Sequence, residues 1–267
     1  MTQPLFKLTD GDSPLIISIP HVGFTIPDEV RENYNDIGLG VQDTDWHLDQ
    51  LYAFAQDMGA SMLSATVSRY VIDLNRAPDG SSLYPGKTTT GLCPLETFLG
   101  QPIYREGRAP DDAEIARRVA TWWKPYHEAL AAQIAAVHAR HGYVVLWEAH
   151  SINSQLPRLF EGVLPNLNFG TVNGASCADA IFSAVLDVAR QGPYEVKLNG
   201  RFVGGYITRQ YNDPARGIHA IQLEMTHKTY MDEPAPFNYR PDLAAKVQPL
   251  LRQALTAALD SAGALHG

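Results

Sequence analysis

The chain has 267 residues, of which 45% are hydrophobic and 19% charged, an ordinary balance for a soluble protein that buries a sizeable core without staples. Its 21 basic residues stand against 29 acidic ones, a formal net charge of −8, and with a pI of about 5.5 this excludes the broad basic face that nucleic-acid binding needs. No apolar run approaches the roughly 20 residues of a membrane helix, the first residues lack a signal-peptide pattern, and Cys93 and Cys177 form no CxxC pair, so one cytoplasmic domain over 1–267 is expected, binding neither nucleic acid nor membrane.

Leu15 to Ile19 is a short apolar run closed by Pro20 and reads as a buried strand whose end opens onto His21. Asp45 to Met58 has helical spacing at Leu48, Leu51, Tyr52 and Ala55, with Thr44 or Asp43 as the cap. Ser61 to Val67 and Tyr70 to Leu74 read as strands, and Leu83 to Arg108, rich in Pro, Gly and Thr, as a long loop of the kind that covers sites. Asp111 to Arg140 is the longest helical stretch, acidic at its start, basic at its end, stopped by Gly142 and kinked or divided at Pro125. Tyr143 to Trp147 is a near-continuous apolar strand running into Glu148-Ala149-His150-Ser151. Strands at 168–172, 194–198 and 218–225, a helix at 178–190 and a C-terminal helix at 243–262 complete the chain.

Buried strands separated by helices predict an α/β fold: a mostly parallel, mixed central sheet with helices on both faces. Such sheets bind ligands beyond the carboxyl ends of their strands, and His21, His150 and Glu224 all fall at or near strand ends.

Catalytic zinc takes three ligands drawn from His and carboxylate and keeps one position open. His21 and His150 fit that role, with Asp43 and Asp45 as nearby carboxylates; the plain alternative is a pair of hydrogen-bonded core histidines. The ligands would be dispersed, since no His-Glu-x-x-His motif is present. Glu224, inside Ile-Gln-Leu-Glu-Met, sits in a segment too apolar for an unpartnered charge, so it is either paired to a core arginine or is a general base. Arg69, Arg76, Arg158 and Arg209 lie close to these strand ends and suit a substrate carrying carboxylates, although each alone reads as a surface ion pair. Nucleophile signatures are lacking: there is no Gly-x-Ser-x-Gly elbow, and neither cysteine has a catalytic context.

Together, Ser-Ile-Pro-His21-Val-Gly, Asp45-Trp-His-Leu-Asp49-Gln-Leu, Asp73-Leu-Asn-Arg76, Glu-Ala-His150-Ser, Gly204-Gly205-Tyr-Ile-Thr-Arg209 and Gln222-Leu-Glu224 resemble, in order and over nearly the whole chain, the N-formylglutamate deformylase (N-formylglutamate amidohydrolase) family. The resemblance implies a zinc-carboxypeptidase or phosphorylase-hydrolase-like fold. It also implies hydrolysis of N-formylglutamate to formate and L-glutamate, the last hydrolytic step of one histidine-degradation route. The family is similar in plan to aspartoacylases, but Phe24 stands where their His-x-x-Glu pair has its carboxylate. The acidic ligand is therefore carried to Asp45, with Asp43 and Asp49 as alternatives. On this resemblance one divalent ion, zinc, is held by His21, Asp45 and His150; Glu224 is the base; and Arg69, Asn75, Arg76, Tyr206 and Arg209 bind a small dicarboxylate. The rival readings are a deacylase for another N-acylated acidic amino acid, a cell-wall amidase, and a non-catalytic carboxylate-binding protein.

Overall fold

In a computed structural model of the chain, residues 4–81 and 89–267 are described. Their strands are β1 (Phe6–Thr9), β2 (Leu15–Ile19), β3 (Ser61–Ala65), β4 (Val144–Ile152), β5 (Leu167–Gly170), β6 (Val196–Leu198) and β7 (Ile218–Thr226). They form one sheet in the order β1-β3-β2-β4-β7-β5-β6. The centre, β3-β2-β4-β7, is parallel; β1 pairs antiparallel with β3, and β5 antiparallel with β7. The expected mixed, mostly parallel sheet is therefore present. Its edge strand β1 gave no signal in the sequence, being four residues long and largely exposed.

Strand alternation decides what each face carries. Leu15, Ile17 and Ile19 of β2, Val145, Trp147 and Ala149 of β4, and Ile221, Leu223 and Met225 of β7 all point to one face. There they pack on the helices Asp179–Ala189 and Pro241–His266, through Ile181, Val185, Val247, Leu251 and Leu255 among others. The intervening residues point to the other face. Toward the strands' amino ends these are apolar, Ile16, Val144, Leu146 and Ala220, and they pack on Tyr126, Leu130 and Ile134 of the helix Lys124–His141. Toward the carboxyl ends they turn polar: Ser18, Glu148 and Gln222 lie in one row across β2, β4 and β7, and His150 and Glu224 in the next.

The long helical stretch is divided as expected at Pro125. Asp112–Arg118 and Lys124–His141 are joined by a widened, π-type turn over Val119–Trp123. That turn absorbs the amide the proline cannot donate and the clash of its ring with the preceding turn.

Two expectations are corrected. Asp45 to Met58 is not one helix: a single turn, Leu48–Leu51, follows His47 at a left-handed φ of 61°, and a 3-10 segment Ala53–Met58 comes after it. Asp45 precedes both, its amide donating to the His21 carbonyl at 3.0 Å, and neither Thr44 nor Asp43 caps the turn. Nor is Tyr70 to Leu74 a strand. It is an irregular, buried segment whose carbonyls are met by side chains: Tyr34 on Tyr70, Arg118 on Val71 and His127 on Leu74. Its apolar residues record packing against the long helix, not pairing in a sheet. The expected loop is irregular over 89–108, and the part at 83–88 lies outside the described residues. No described helix is long and apolar enough to cross a membrane.

Candidate active site

The carboxyl ends of the parallel strands deliver His21, just past β2, and His150, inside β4, to the polar face; strand β4 runs on to Ile152, so His150 lies within the strand and not beyond it. Their rings lie 5.0 Å apart. Asp45 reaches between them: its Oδ2 is 3.2 Å from His150 Nδ1 and 3.7 Å from His21 Nδ1. One donor atom from each of the three falls within 4.8 Å of the others, and all three side chains are buried. Asp43, by contrast, accepts hydrogen bonds from Tyr70 Oη and the Phe98 amide and so ties down the loop wall, and Asp49 is exposed on the Leu48–Leu51 turn. Burial raises Asp43 to about 6 against the help of those two bonds.

Each histidine turns its other nitrogen to a buried carboxylate. His21 Nε2 is 2.7 Å from Asp73 Oδ1, and His150 Nε2 is 3.0 Å from Glu148 Oε2. A ring nitrogen facing a carboxylate carries the proton, which leaves His21 Nδ1 as a lone-pair donor; His150 Nδ1, 3.2 Å from Asp45 Oδ2, shares a proton with that carboxylate and becomes a donor to a metal only when the proton leaves. His21 Nδ1 and Asp45 Oδ1 are buried without a hydrogen-bond partner. Buried polar atoms are rarely left so, and this pair is what a cation would satisfy.

The charges point the same way. Asp45, Asp73, Glu148 and Glu224 are all buried here, with Arg69 paired to Asp45 and Asp73 and Arg76 near Asp73. Burial opposes ionisation of Asp45, but its hydrogen bond with His150 and the nearby ring of His21 outweigh it and hold the carboxyl far below the usual range. Burial likewise disfavours a charged His150, yet Asp45 and Glu148 raise it to about 10, so the cluster retains a proton where a metal would otherwise sit. Asp73 is held well below its ordinary value: Arg76, His21 and Arg69 outweigh its burial.

Glu224 stands beside His150 across the β4–β7 ladder and lines the same pocket. Burial raises its carboxyl to about 8, with Asp45 adding to the rise and His150, Arg69 and Arg76 working against it. A carboxylate so placed can exchange a proton near neutral pH, as a general base must.

The pocket walls come from three segments. His21, Arg69, Asn75 and Arg76 follow β2 and β3; Phe98 comes from the loop; Ser151, Ile152, Leu159, Arg201 and Phe202 come from the far side. Arg69 donates to Asp73 at 2.8 Å, lies 3.6 Å from Asp45 and stacks over Phe98. Arg76 is fixed by the Thr90 carbonyl, the Thr90 hydroxyl and the Asn75 carbonyl. Asn75 Nδ2 sits 3.1 Å from His150 Nε2, while its Oδ1 accepts from the Ile207 amide.

That contact explains the Gly204-Gly205 pair. Gly205 donates to Gln222 Oε1 at 2.7 Å, and a Cβ there would fall 2.2 Å from Asn75 Nδ2, so only glycine lets the backbone pass between the two amides. The chain then turns into the short helix Tyr206–Gln210, which carries Tyr206 and Arg209 behind Asn75. Both line a neighbouring cavity with Ala77, Pro78 and Asp79, while Arg69, Asn75 and Arg76 line the pocket. The sequence reading missed three groups: Asp73 and Glu148 on the histidines, and Arg201 in the wall. Two of them carried a signal: Glu148 is an acid two residues before His150 inside an apolar strand, and Asp73 heads the Asp-Leu-Asn-Arg76 motif without having been given a role there.

A family model described as N-formylglutamate amidohydrolase matches residues 13–231. An N-formylglutamate deformylase of Pseudomonas putida is 48% identical over 250 residues, covering 93% of each chain. That of Pseudomonas aeruginosa is 47% identical over 251 residues, covering 93% of this chain and 94% of its own. Among solved structures, an N-formylglutamate amidohydrolase from Ralstonia eutropha JMP134 superposes with a TM-score of 0.79 at 25% identity over 96% of each chain. A gene product of Agrobacterium tumefaciens superposes with a TM-score of 0.75 at 18% identity, covering 97% of this chain and 96% of its own, a likeness of fold. On the strength of the family match and these relatives, the chain belongs to the N-formylglutamate amidohydrolase family.

Proposed function

We propose that this chain hydrolyses N-formyl-L-glutamate to formate and L-glutamate, using one divalent ion, zinc, held by His21, Asp45 and His150. The observation that carries the reading is the buried His21–Asp45–His150 cluster, whose orphaned donors face one another beside Glu224. When bound there, zinc supplies the Lewis acidity that acidifies a water and polarises the formyl oxygen. The remaining work falls to the chain's own groups. Asp73 and Glu148 hold the Nε2–H of His21 and His150 and so fix both rings. Glu224 takes the proton of the attacking water onto its carboxylate, then hands it to the leaving amine nitrogen. Arg69 and Arg76 hold the α-carboxylate of glutamate and orient the formamide. Asn75 packs beside His150 and positions the chain after Gly205 by accepting from the Ile207 amide, with Tyr206 and Arg209 behind it. This is the last hydrolytic step of one histidine-degradation route, and a cytoplasmic location goes with that role.

The rival is a deacylase for a larger acyl group on the same kind of amino acid. Purified protein with zinc is assayed on N-formylglutamate and N-acetylglutamate, following formate, acetate and glutamate. Formate release with at least roughly 100-fold preference for the formyl substrate is expected. Preferred release of acetate would favour the rival, and release of neither would end the proposal.

A further inference from the structure

We propose that Arg201, on the wall away from the metal cluster, binds the side-chain γ-carboxylate of the substrate and makes the enzyme selective for an acidic side chain; this rests on the reading above that the substrate is an N-acylated acidic amino acid. In glutamate the α-carboxylate is borne by the carbon that carries the scissile amide nitrogen, and the γ-carboxylate lies two methylenes further out. The pocket's arginines divide in the same way. Arg69 and Arg76 both lie within 4 Å of Asp73, which is bonded to His21, so they serve the end of the substrate next to the reacting bond.

Arg201 comes from a different segment, the turn after β6, and reaches the same pocket. Contacts with the far wall help fix its plane: Nε donates to the Leu159 carbonyl at 3.0 Å, and the guanidinium lies over the Phe202 ring at 5.5 Å. Around it the wall is apolar. Phe98, Ile152, Leu159 and Phe202 belong to one small hydrophobic cluster, and all four line the pocket. An apolar wall bearing one oriented guanidinium matches a short methylene chain that ends in a carboxylate. Arg209, one of the arginines that the sequence offered for the substrate's carboxylates, has its Nε on the Gly204 carbonyl and lines the neighbouring cavity instead.

The test compares N-formylglutamate with N-formylglutamine, which has the same shape but a neutral side-chain end. For the wild type, kcat/KM should favour the glutamate substrate by at least roughly 100-fold, the scale of a desolvated charge pair. In Arg201→Met the ratio should fall below about tenfold, with the loss in the KM for N-formylglutamate. Arg201→Lys, which keeps the charge and the stem on Phe202, should recover part of it, and thermal melts check that both variants fold. A ratio unchanged in Arg201→Met, or one that collapses in Arg209→Met instead, overturns the assignment. Wild-type turnover of N-formylglutamate in the same assay reports separately on the underlying reaction.

Discussion

Glu224→Gln should abolish most of the activity and at the same time stabilise the metal-free protein at alkaline pH. The substitution keeps the shape of a side chain that is 8% exposed and removes only its ability to ionise. A positioned general base contributes about 10² to 10⁴ in rate, so formate release should fall by that factor while zinc content stays at the wild-type level. The stability effect follows from burial. Glu224 is raised from an ordinary 4.5 to about 8 in the folded chain. Because the folded value lies above the unfolded one, holding the group ionised costs nothing below pH 4.5. The cost grows between pH 4.5 and 8 and is level above that, at about 5 kcal/mol as an upper bound. Glutamine escapes it, and the chelated variant should melt up to roughly 10 °C higher than the wild type at pH 9, with no difference at pH 4. Calorimetry across that range, paired with single-turnover formate assays, measures both effects. Wild-type turnover in Glu224→Gln would remove it as the base. A variant that melts no higher than the wild type at pH 9 would refute the claim that burial sets its proton affinity.

The other expectations follow from the neighbouring groups. Asp45→Asn should lose bound zinc, whereas Asp43→Asn should keep it and instead lose about 1 to 3 kcal/mol of stability, because Asp43 anchors Tyr70 and Phe98; equal zinc loss in both would reopen the choice of ligand, with metal analysis and melts as the readouts. Glu148→Gln should weaken zinc binding by about 10- to 100-fold in a chelator competition, with kcat at saturating zinc reduced far less; unchanged affinity would deny Glu148 its hold on His150. His127, buried between Trp123 and Tyr211 with its ring on the Leu74 carbonyl, is lowered by burial from 6.5 to about 4. Its folded value lies below the unfolded one, so the stability it contributes is complete above pH 6.5 and is lost as pH falls through 4, about 3 kcal/mol in all. Denaturant midpoints measured from pH 7 to 4 should therefore fall less steeply in His127→Gln, and parallel curves would contradict this.

Much of the fold was legible because strands β2, β4 and β7 are predominantly apolar segments, the signature of a sheet covered on both faces. His21, His150 and Glu224 were legible because they interrupt or end those runs. The sequence could not show which carboxylate joins them, since Asp43, Asp45 and Asp49 differ only in where an irregular segment turns, and that is set by packing around a left-handed His47. Tyr70 to Leu74 misled for a related reason. Burial makes a segment apolar whether its carbonyls meet a strand or, as here, the side chains of Tyr34, Arg118 and His127. Arg201 and Arg209 flank the same glycine pair, and which of them enters the pocket depends on the close passage of Gly205 between Asn75 and Gln222.

The most direct test is a zinc titration of the chelated protein with activity followed in parallel. Formate release from N-formylglutamate should be absent without metal and return linearly to a plateau at one zinc per chain, and His21→Ala and His150→Ala should neither bind the ion tightly nor regain activity. Full turnover by rigorously metal-free protein, or a plateau that survives in both histidine variants, would contradict a metal centre at His21, Asp45 and His150.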